Sequence, residues 1–233
     1  MFQLYHFPLD PMSRAVRLAL AEYELDFELV EERVWERRHE FLALNPAGSV
    51  PVLIDEDQEG LLTICGSSVI AEYIRERYRT ELEGKLLFPD NVEERAEMRR
   101  LVEWFDRKFQ DEVTFNIVHQ KVDRQFMAKD AGGGPPDMTV VHAGLHNLRY
   151  HLKYIEHLMG ARNWLTGEDL THADLAAAAH LSVVDYLGHV PWEEFPEAKT
   201  WYARLKSRRS FRALLSDQVA RVIPAAHYTD LDF

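Results

Sequence analysis

The chain has 233 residues, of which 46% are hydrophobic and 28% charged, so it can bury a substantial core and lacks the composition of a disordered polypeptide. Its formal net charge of −12 argues against nucleic acid as a partner, because sequence-independent binding comes mostly from neutralised phosphates. The single cysteine, Cys65, excludes an internal disulfide and a cysteine-based zinc site, and no apolar run is long enough to span a bilayer, so we expect a cytoplasmic protein.

The first part of the chain alternates short strand-like runs with helix-like ones. The strand-like runs cover residues 2–6, 27–30, 52–54 and 61–65, and an acidic turn that ends in Gly60 separates the last two. This alternation is typical of a mixed sheet flanked by helices. We therefore predict an α/β domain over residues 1–80.

The rest of the chain has helical periodicity. A glycine- and proline-containing segment over 81–91 is predicted to be a linker. Apolar and aromatic residues at helical spacing predict one long, bent helix over 92–129 and another over 137–158. We therefore predict an all-helical domain over 92–223, followed by a separate tail over 224–233.

Of two short patterns in the helical part, one indicates the start of a helix and the other is not sufficient to indicate a metal site. Thr171 and Asp174 have the spacing of a capping box, in which each side chain satisfies a free amide of the first helical turn. His142 and His146 lie four residues apart, a spacing that suits a metal, but no third ligand is near them in the sequence. We interpret these histidines as part of a partly exposed helix face and expect no metal and no cofactor.

Two segments of the first domain resemble a known family. Residues 45–53 read Asn-Pro-Ala-Gly-Ser-Val-Pro-Val-Leu, and residues 65–70 read Cys-Gly-Ser-Ser-Val-Ile. Together with the strand over 2–6 and the Thr171 capping box, they resemble the glutathione transferase family. The resemblance implies a thioredoxin-like α/β N-terminal domain, an all-α C-terminal domain and a homodimer.

The resemblance also implies a remnant glutathione site. In the family a valine and a cis proline, here Val50 and Pro51, leave the backbone open to pair with the peptide. Ser67 matches the serine that binds the glutamyl carboxylate at a helix N-terminus, and we expect it to cap that helix. The acidic residue that normally precedes this serine and holds the ammonium is Gly66 here.

The position of the thiol-activating hydroxyl also departs from the family pattern. Asp10 stands before Pro11, where many members have a hydroxyl, and a carboxylate opposes ionisation of a neighbouring thiol. Ser13, with Tyr5 as a weaker candidate, is the residue left to polarise the thiol. Ser13 as a plain helix N-cap is the alternative interpretation.

The C-terminal segment and the Trp-Phe-Asp-Arg-Lys-Phe run at 104–109 resemble one branch of the family, the glutathione-transferase-like division proteins of alphaproteobacteria. This implies a homodimeric, non-catalytic protein at the division site that binds FtsZ filaments, promotes their curvature and helps activate septal cell-wall synthesis. An active glutathione S-transferase that conjugates glutathione to electrophiles is the alternative.

The tail is a candidate contact for a further division protein. It alternates acidic and apolar residues and ends Asp230, Leu231, Asp232 and Phe233. An exposed end of this kind can place an aromatic anchor in a partner pocket while its charges lie at the rim. The alternative is a tail packed back on its own helices.

Two further candidates for a protein contact lie elsewhere. Trp35 lies among arginines in a charged segment and is either an interface residue or a core residue under the first domain. The run 199–212, which includes Arg208 and Arg209, has six basic residues and no acidic one. This run is either a solvated helix face or a docking patch for an acidic protein.

Overall fold

The first domain is built on a four-stranded sheet. The computed structural model describes residues 1–57, 60–82 and 87–231. The four strands are β1 (Phe2–His6), β2 (Phe27–Glu31), β3 (Val52–Asp57) and β4 (Gly60–Cys65). Strand β1 pairs in parallel with β2 and antiparallel with β3, which pairs antiparallel with β4, giving the order β2-β1-β3-β4. Each predicted strand is present, and residues 58–59 of the predicted hairpin turn lie outside the described residues.

Helices cover this sheet as the alternation predicted: α1 (Pro11–Glu22), α2 (His39–Leu44) and α3 (Ser67–Arg77). Leu4 of β1 is fully buried, whereas Tyr5 alternates to the other face, where its ring lies 5.8 Å from that of Phe41 in α2. The sheet is therefore apolar on both faces where helices pack.

The second domain begins with one long helix. Its first part, α4 (Val92–Glu103), continues as a π-helical stretch (Trp104–Asp123) and ends with a short turn, α5 (Arg124–Phe126). The predicted long helix is thus continuous, but it ends at Phe126 rather than at residue 129. Four more helices follow: α6 (Met138–Met159), α7 (His172–Tyr186), α8 (Pro196–Lys206) and α9 (Arg212–Leu215).

Helix α7 is the centre of this domain, because every one of its residues is buried. The predicted capping box starts it: the Thr171 amide donates to Asp174 Oδ2 at 2.9 Å. The other carboxylate oxygen of Asp174 accepts from the Leu165 amide and from Trp201 Nε1, at 2.8 and 3.0 Å. Burial raises the pKa of Asp174, and these donors oppose the rise.

A buried arginine ties the two domains and the C-terminal segment together. Arg14 of α1 donates to the Pro8 carbonyl at 2.6 Å, to Ser182 Oγ at 2.8 Å and to Tyr228 Oη at 3.0 Å. It also forms an ion pair with Asp217 at 3.1 Å. A buried charge is tolerated only when it is paired and hydrogen-bonded, and Arg14 meets that condition.

Within the described ranges, no helix has the length and apolar character needed to cross a bilayer. The transition from sheet to helices falls between the end of α3 at Arg77 and the start of α4 at Val92. Residues 83–86 of the predicted linker lie outside the part of the chain that the structure describes.

Candidate functional site

The start of α1 differs from the expected arrangement, because Asp10 rather than Ser13 is the N-cap. Asp10 has an extended backbone, its carboxylate accepts from the Ser13 amide at 2.6 Å, and Pro11 takes the first helical position. Ser13 therefore lies inside the first turn. Its hydroxyl is buried and makes no well-aligned hydrogen bond with the described residues.

The Asp10 carboxyl is perturbed by its surroundings. Burial raises its pKa to about 7, against the opposing effect of the Ser13 hydrogen bonds, and the fields of Asp123 and Asp106 raise it further. Near neutral pH a sizeable fraction of the molecules therefore carries a neutral Asp10. When it is ionised, this group disfavours any neighbouring thiolate.

The start of α3 also differs from the expectation for Ser67. The N-cap is Gly66, with a φ of +93°, and Ser67 is the first helical residue. The Ser67 hydroxyl is buried and, among the described residues, has no hydrogen-bond partner. Gly66 provides no side chain to hold an ammonium, and its φ lies in a region that residues with side chains rarely adopt.

The segment before β3 has the geometry that the family resemblance implies. The Val50-Pro51 peptide bond is cis. The Pro51 carbonyl accepts from the Gly66 amide at 3.0 Å, which fixes the loop before β3 against the start of α3. Strand pairing starts at Val52, so the Val50 backbone precedes the sheet and makes no backbone hydrogen bond with the described residues.

Of these residues, Asp10 and Val50 line a small cleft between the domains. Pro11 and Trp35 line the same side, and the π-helical stretch lines the other side. Its volume is about 80 Å³, whereas pockets for small molecules are typically roughly 300–1,000 Å³. Ser13, Ser67 and Tyr5 do not line this cleft.

Trp35 is a packing residue between the domains. It lies in a short helical turn, Val34–Glu36, and is half-buried. Its ring packs edge-on against Phe7 at 5.1 Å and stacks on Phe126 of α5 at 5.7 Å. Most of the Trp35 side chain is therefore packed between the domains, as the core interpretation predicts. The part that stays exposed lines the cleft.

The basic run 199–212 is largely engaged inside the molecule. Arg208 makes a bidentate ion pair with Glu22, the last residue of α1, at 2.6 and 2.7 Å. Lys206 is buried and donates to the His227 carbonyl at 3.2 Å. Arg209 and Arg212 are exposed. Sequence patterns gave no sign of the Glu22 pair, because its partners are separated by 186 positions.

The C-terminal segment packs on the helical domain as far as Tyr228. The Tyr228 ring is fully buried 5.0 Å from Tyr186, and its hydroxyl donates to the Leu214 carbonyl at 3.1 Å. His227 Nε2 lies 2.9 Å from Asp185 Oδ1. Asp230 and Leu231 lie at the surface, and Asp232 and Phe233 lie outside the described residues.

The remaining sequence candidates are surface or strand residues. His142 and His146 are both exposed on α6. The described residues contain no group of three or more side chains arranged to hold a metal ion. Cys65 ends β4, and burial raises the pKa of its thiol, which lowers its reactivity as a nucleophile.

Comparison with known proteins identifies consistent relatives. The family model for the glutathione S-transferase N-terminal domain matches residues 4–82, and the model for the C-terminal domain matches residues 117–209. FtsZ-localized protein A of Caulobacter vibrioides is 50% identical over 230 residues, spanning 99% of this chain and 97% of the relative.

Two solved structures superpose on the whole chain. A glutathione S-transferase from Sinorhizobium meliloti 1021 has a TM-score of 0.95 and 45% identity, with 100% of both chains covered. FzlA from C. crescentus has a TM-score of 0.93 and 48% identity, covering 100% of this chain and 99% of the other.

Proposed function

This chain belongs to the glutathione S-transferase family, and we propose that within it the protein is a non-catalytic, FtsZ-associated cell division protein. The association with FtsZ is supported by the 50% identity to FtsZ-localized protein A over nearly the full length of both chains. On this proposal the protein is cytoplasmic, is located at the division site and acts as a homodimer.

The observation that carries the non-catalytic half of the proposal is the glycine at the N-cap of α3. A bound tripeptide would need a carboxylate near this helix start to pair with its ammonium, and Gly66 provides none. The Asp10 carboxyl lines the cleft between the domains, at the position where many family members have a hydroxyl. These two features oppose thiol chemistry by different physical causes: the ammonium lacks a charge partner at Gly66, and an ionised Asp10 repels a thiolate.

We also propose that the protein promotes filament curvature and helps activate septal cell-wall synthesis. The tail residues contact a further division protein: Asp230, Leu231, Asp232 and Phe233. Trp35, Arg208 and Arg209 are proposed filament contacts. Arg209 is the best placed of these three, because it is exposed and the other two are engaged between the domains.

An active glutathione S-transferase is the second candidate function. A buried hydroxyl favours it: Ser67 has no hydrogen-bond partner within the described residues, as expected of a group that awaits a ligand. The S. meliloti structure, which carries the glutathione S-transferase name, points the same way. In this function Ser13 polarises the thiol, and Val50, Pro51 and Ser67 hold the peptide.

One pair of assays separates the two functions. We expect the protein to sediment with polymerised FtsZ in a GTP-dependent manner, and to pass through immobilised glutathione without retention. Retention on glutathione, together with conjugation of a chloronitrobenzene electrophile that Ser13→Ala abolishes, would establish the enzyme instead. Absence of the protein from the FtsZ pellet at every salt concentration would contradict the division role.

A further inference from the structure

A groove lined by four cations lies where the long helix ends. Its basic residues are Lys121, Arg124, Lys129 and Arg221, and no acidic residue within the described ranges lines it. The groove has a volume of about 670 Å³, several times that of the cleft between the domains. We call it the basic groove. Its positive charge contrasts with the net charge of −12 of the whole chain.

The charges of the basic groove are not neutralised by the protein. No ion pair to any of the four cations is present within the part of the chain that the structure describes, although most other arginines on the surface are paired with carboxylates. Lys121 Nζ lies 2.5 Å from His189 Nε2, and burial and the lysine charge lower the pKa of His189 to about 4. The imidazole is therefore neutral and accepts a hydrogen bond from the Lys121 ammonium, which keeps its charge.

The basic groove also has apolar walls. Met127, Pro135, Pro136 and Leu187 contribute to its walls, and Ile223, at 88% exposure, is the most exposed large hydrophobic residue described. Beside Ile223, Arg221 has a φ of +66°, which is uncommon for a residue with a side chain and costs free energy. Two features that oppose folding, an exposed isoleucine and a strained arginine, therefore meet at one surface.

We propose that the basic groove is the docking site for an acidic peptide segment that carries an apolar side chain. The inference deepens the proposed function, on which it rests, by assigning to the filament partner a second surface in addition to Arg209. Unpaired cations attract carboxylates, and the apolar walls around Ile223 accept the anchor side chain. A segment of this composition pairs with the cations of the basic groove and covers its apolar walls.

Nucleic acid and anionic lipid fit this surface less well. Among the described residues, no aromatic side chain on which a base could stack lines the groove, and the net charge of −12 repels a polyanion from the rest of the molecule. A lipid headgroup would contact the cations but would leave the proline and isoleucine walls uncovered. Insertion of these walls into a bilayer would need an amphipathic helix, and the groove is instead formed by several separate segments of the helical domain.

The test compares two double variants of the full-length protein in co-sedimentation with polymerised FtsZ. Lys129→Glu with Arg221→Glu reverses two exposed groove cations. The matched control, Arg107→Glu with Lys153→Glu, reverses two exposed cations outside the groove and changes the net charge equally. We expect the groove variant to lose affinity by about tenfold at low salt and the control by less than about twofold, because attraction at the surface acts over roughly a Debye length.

A third variant tests the apolar half of the proposal. Ile223→Ser keeps every charge, so we expect a loss of affinity by about fivefold that persists in high salt. Equal pelleting of wild type and groove variant would overturn the groove assignment while leaving the proposed function intact. Failure of the wild type to pellet would remove the proposed function itself. Binding of single-stranded DNA or phosphatidylserine vesicles that only the groove variant loses, with FtsZ pelleting unchanged, would also overturn the inference.

Discussion

At the N-cap of α3, Gly66 holds a backbone conformation that other residues adopt only at a cost. Its φ is +93°, and a Cβ built there would meet no atom within 4 Å. Space therefore does not oppose a side chain at this position, but the backbone conformation does. An acidic residue at this site would be strained at this φ.

This leads to a stability prediction for Gly66→Ala. We expect the free energy of unfolding to fall by about 1–2 kcal/mol, because an L-residue is strained at positive φ. Urea denaturation monitored by circular dichroism measures the change. Gly160→Ala is the control, since Gly160 has a φ of −63° and should tolerate a side chain with little change. Equal behaviour of the two variants would contradict the explanation.

The Asp10 carboxyl predicts a pH dependence of stability. Its pKa is raised from 3.8 to about 7 in the folded protein, so the folded state binds the proton more tightly than the unfolded state between these values. The stabilisation by the protonated form is complete below pH 4 and is lost as the pH rises to about 7.

Asp10→Asn removes this titration and keeps an N-cap side chain. We expect the variant to be more stable than wild type by roughly 1–2 kcal/mol at pH 8 and to differ little at pH 4.5. Thermal unfolding at both pH values measures the difference. A constant difference between the two proteins across this range would show that the Asp10 carboxyl does not titrate as described.

At the scale of elements, the C-terminal segment has a structural part and a surface part. Tyr228 packs against Tyr186 of α7 and donates to the Leu214 carbonyl of α9. Its hydroxyl also accepts a hydrogen bond from Arg14 of the first domain. Lys206 and His227 join α8 to the same segment through the His227 carbonyl. Asp230 and Leu231 come after this buried cluster and lie at the surface. The tail is therefore packed against the helices at Tyr228 and exposed to solvent at Asp230 and Leu231.

The two parts predict different variant phenotypes. Tyr228→Phe removes hydroxyl contacts to Arg14 and the Leu214 carbonyl, so we expect it to lower the free energy of unfolding by about 1–2 kcal/mol. Deletion of residues 230–233 should leave the melting temperature and dimerisation unchanged and impair division in cells. A deletion variant that fails to fold, or that divides normally, would contradict the division of roles along the tail.

At the scale of the whole molecule, the two domains are joined by charged and aromatic contacts from distant parts of the sequence. Glu22 pairs with Arg208, Arg14 and Arg17 pair with Asp217, and Trp35 stacks on Phe126. The Trp35 stack on Phe126 also borders the cleft, since Trp35 is part of its lining. The width of the cleft and the stability of the domain interface therefore share this contact.

This arrangement predicts opposite behaviour for two adjacent arginines. Arg208→Gln breaks a bidentate pair with a half-buried carboxylate, so we expect a loss of about 1 kcal/mol of stability that shrinks at high salt. Arg209→Gln should leave stability unchanged and weaken FtsZ co-sedimentation at low salt. Chemical denaturation and pelleting at two salt concentrations test both variants. Equal stability losses would show that the Glu22 pair is not specific to Arg208.

The sequence by itself determined the local structure. The strands of the sheet, the capping box at Thr171 and the long helix from Val92 were all predicted, because each depends on neighbouring residues whose spacing matches a backbone period or turn. The cis Val50-Pro51 bond was predicted from the resemblance to the family. The absence of an acidic side chain at Gly66 was equally readable from the sequence.

Only the tertiary structure decided which side chains meet. It made Asp10 rather than Ser13 the cap of α1, placed Trp35 between the domains and engaged Arg208 with Glu22. It also assembled the basic groove from residues about a hundred positions apart, between Lys121 and Arg221. Local periodicity carries no information on such long-range contacts, because burial and charge pairing depend on how whole elements pack against each other.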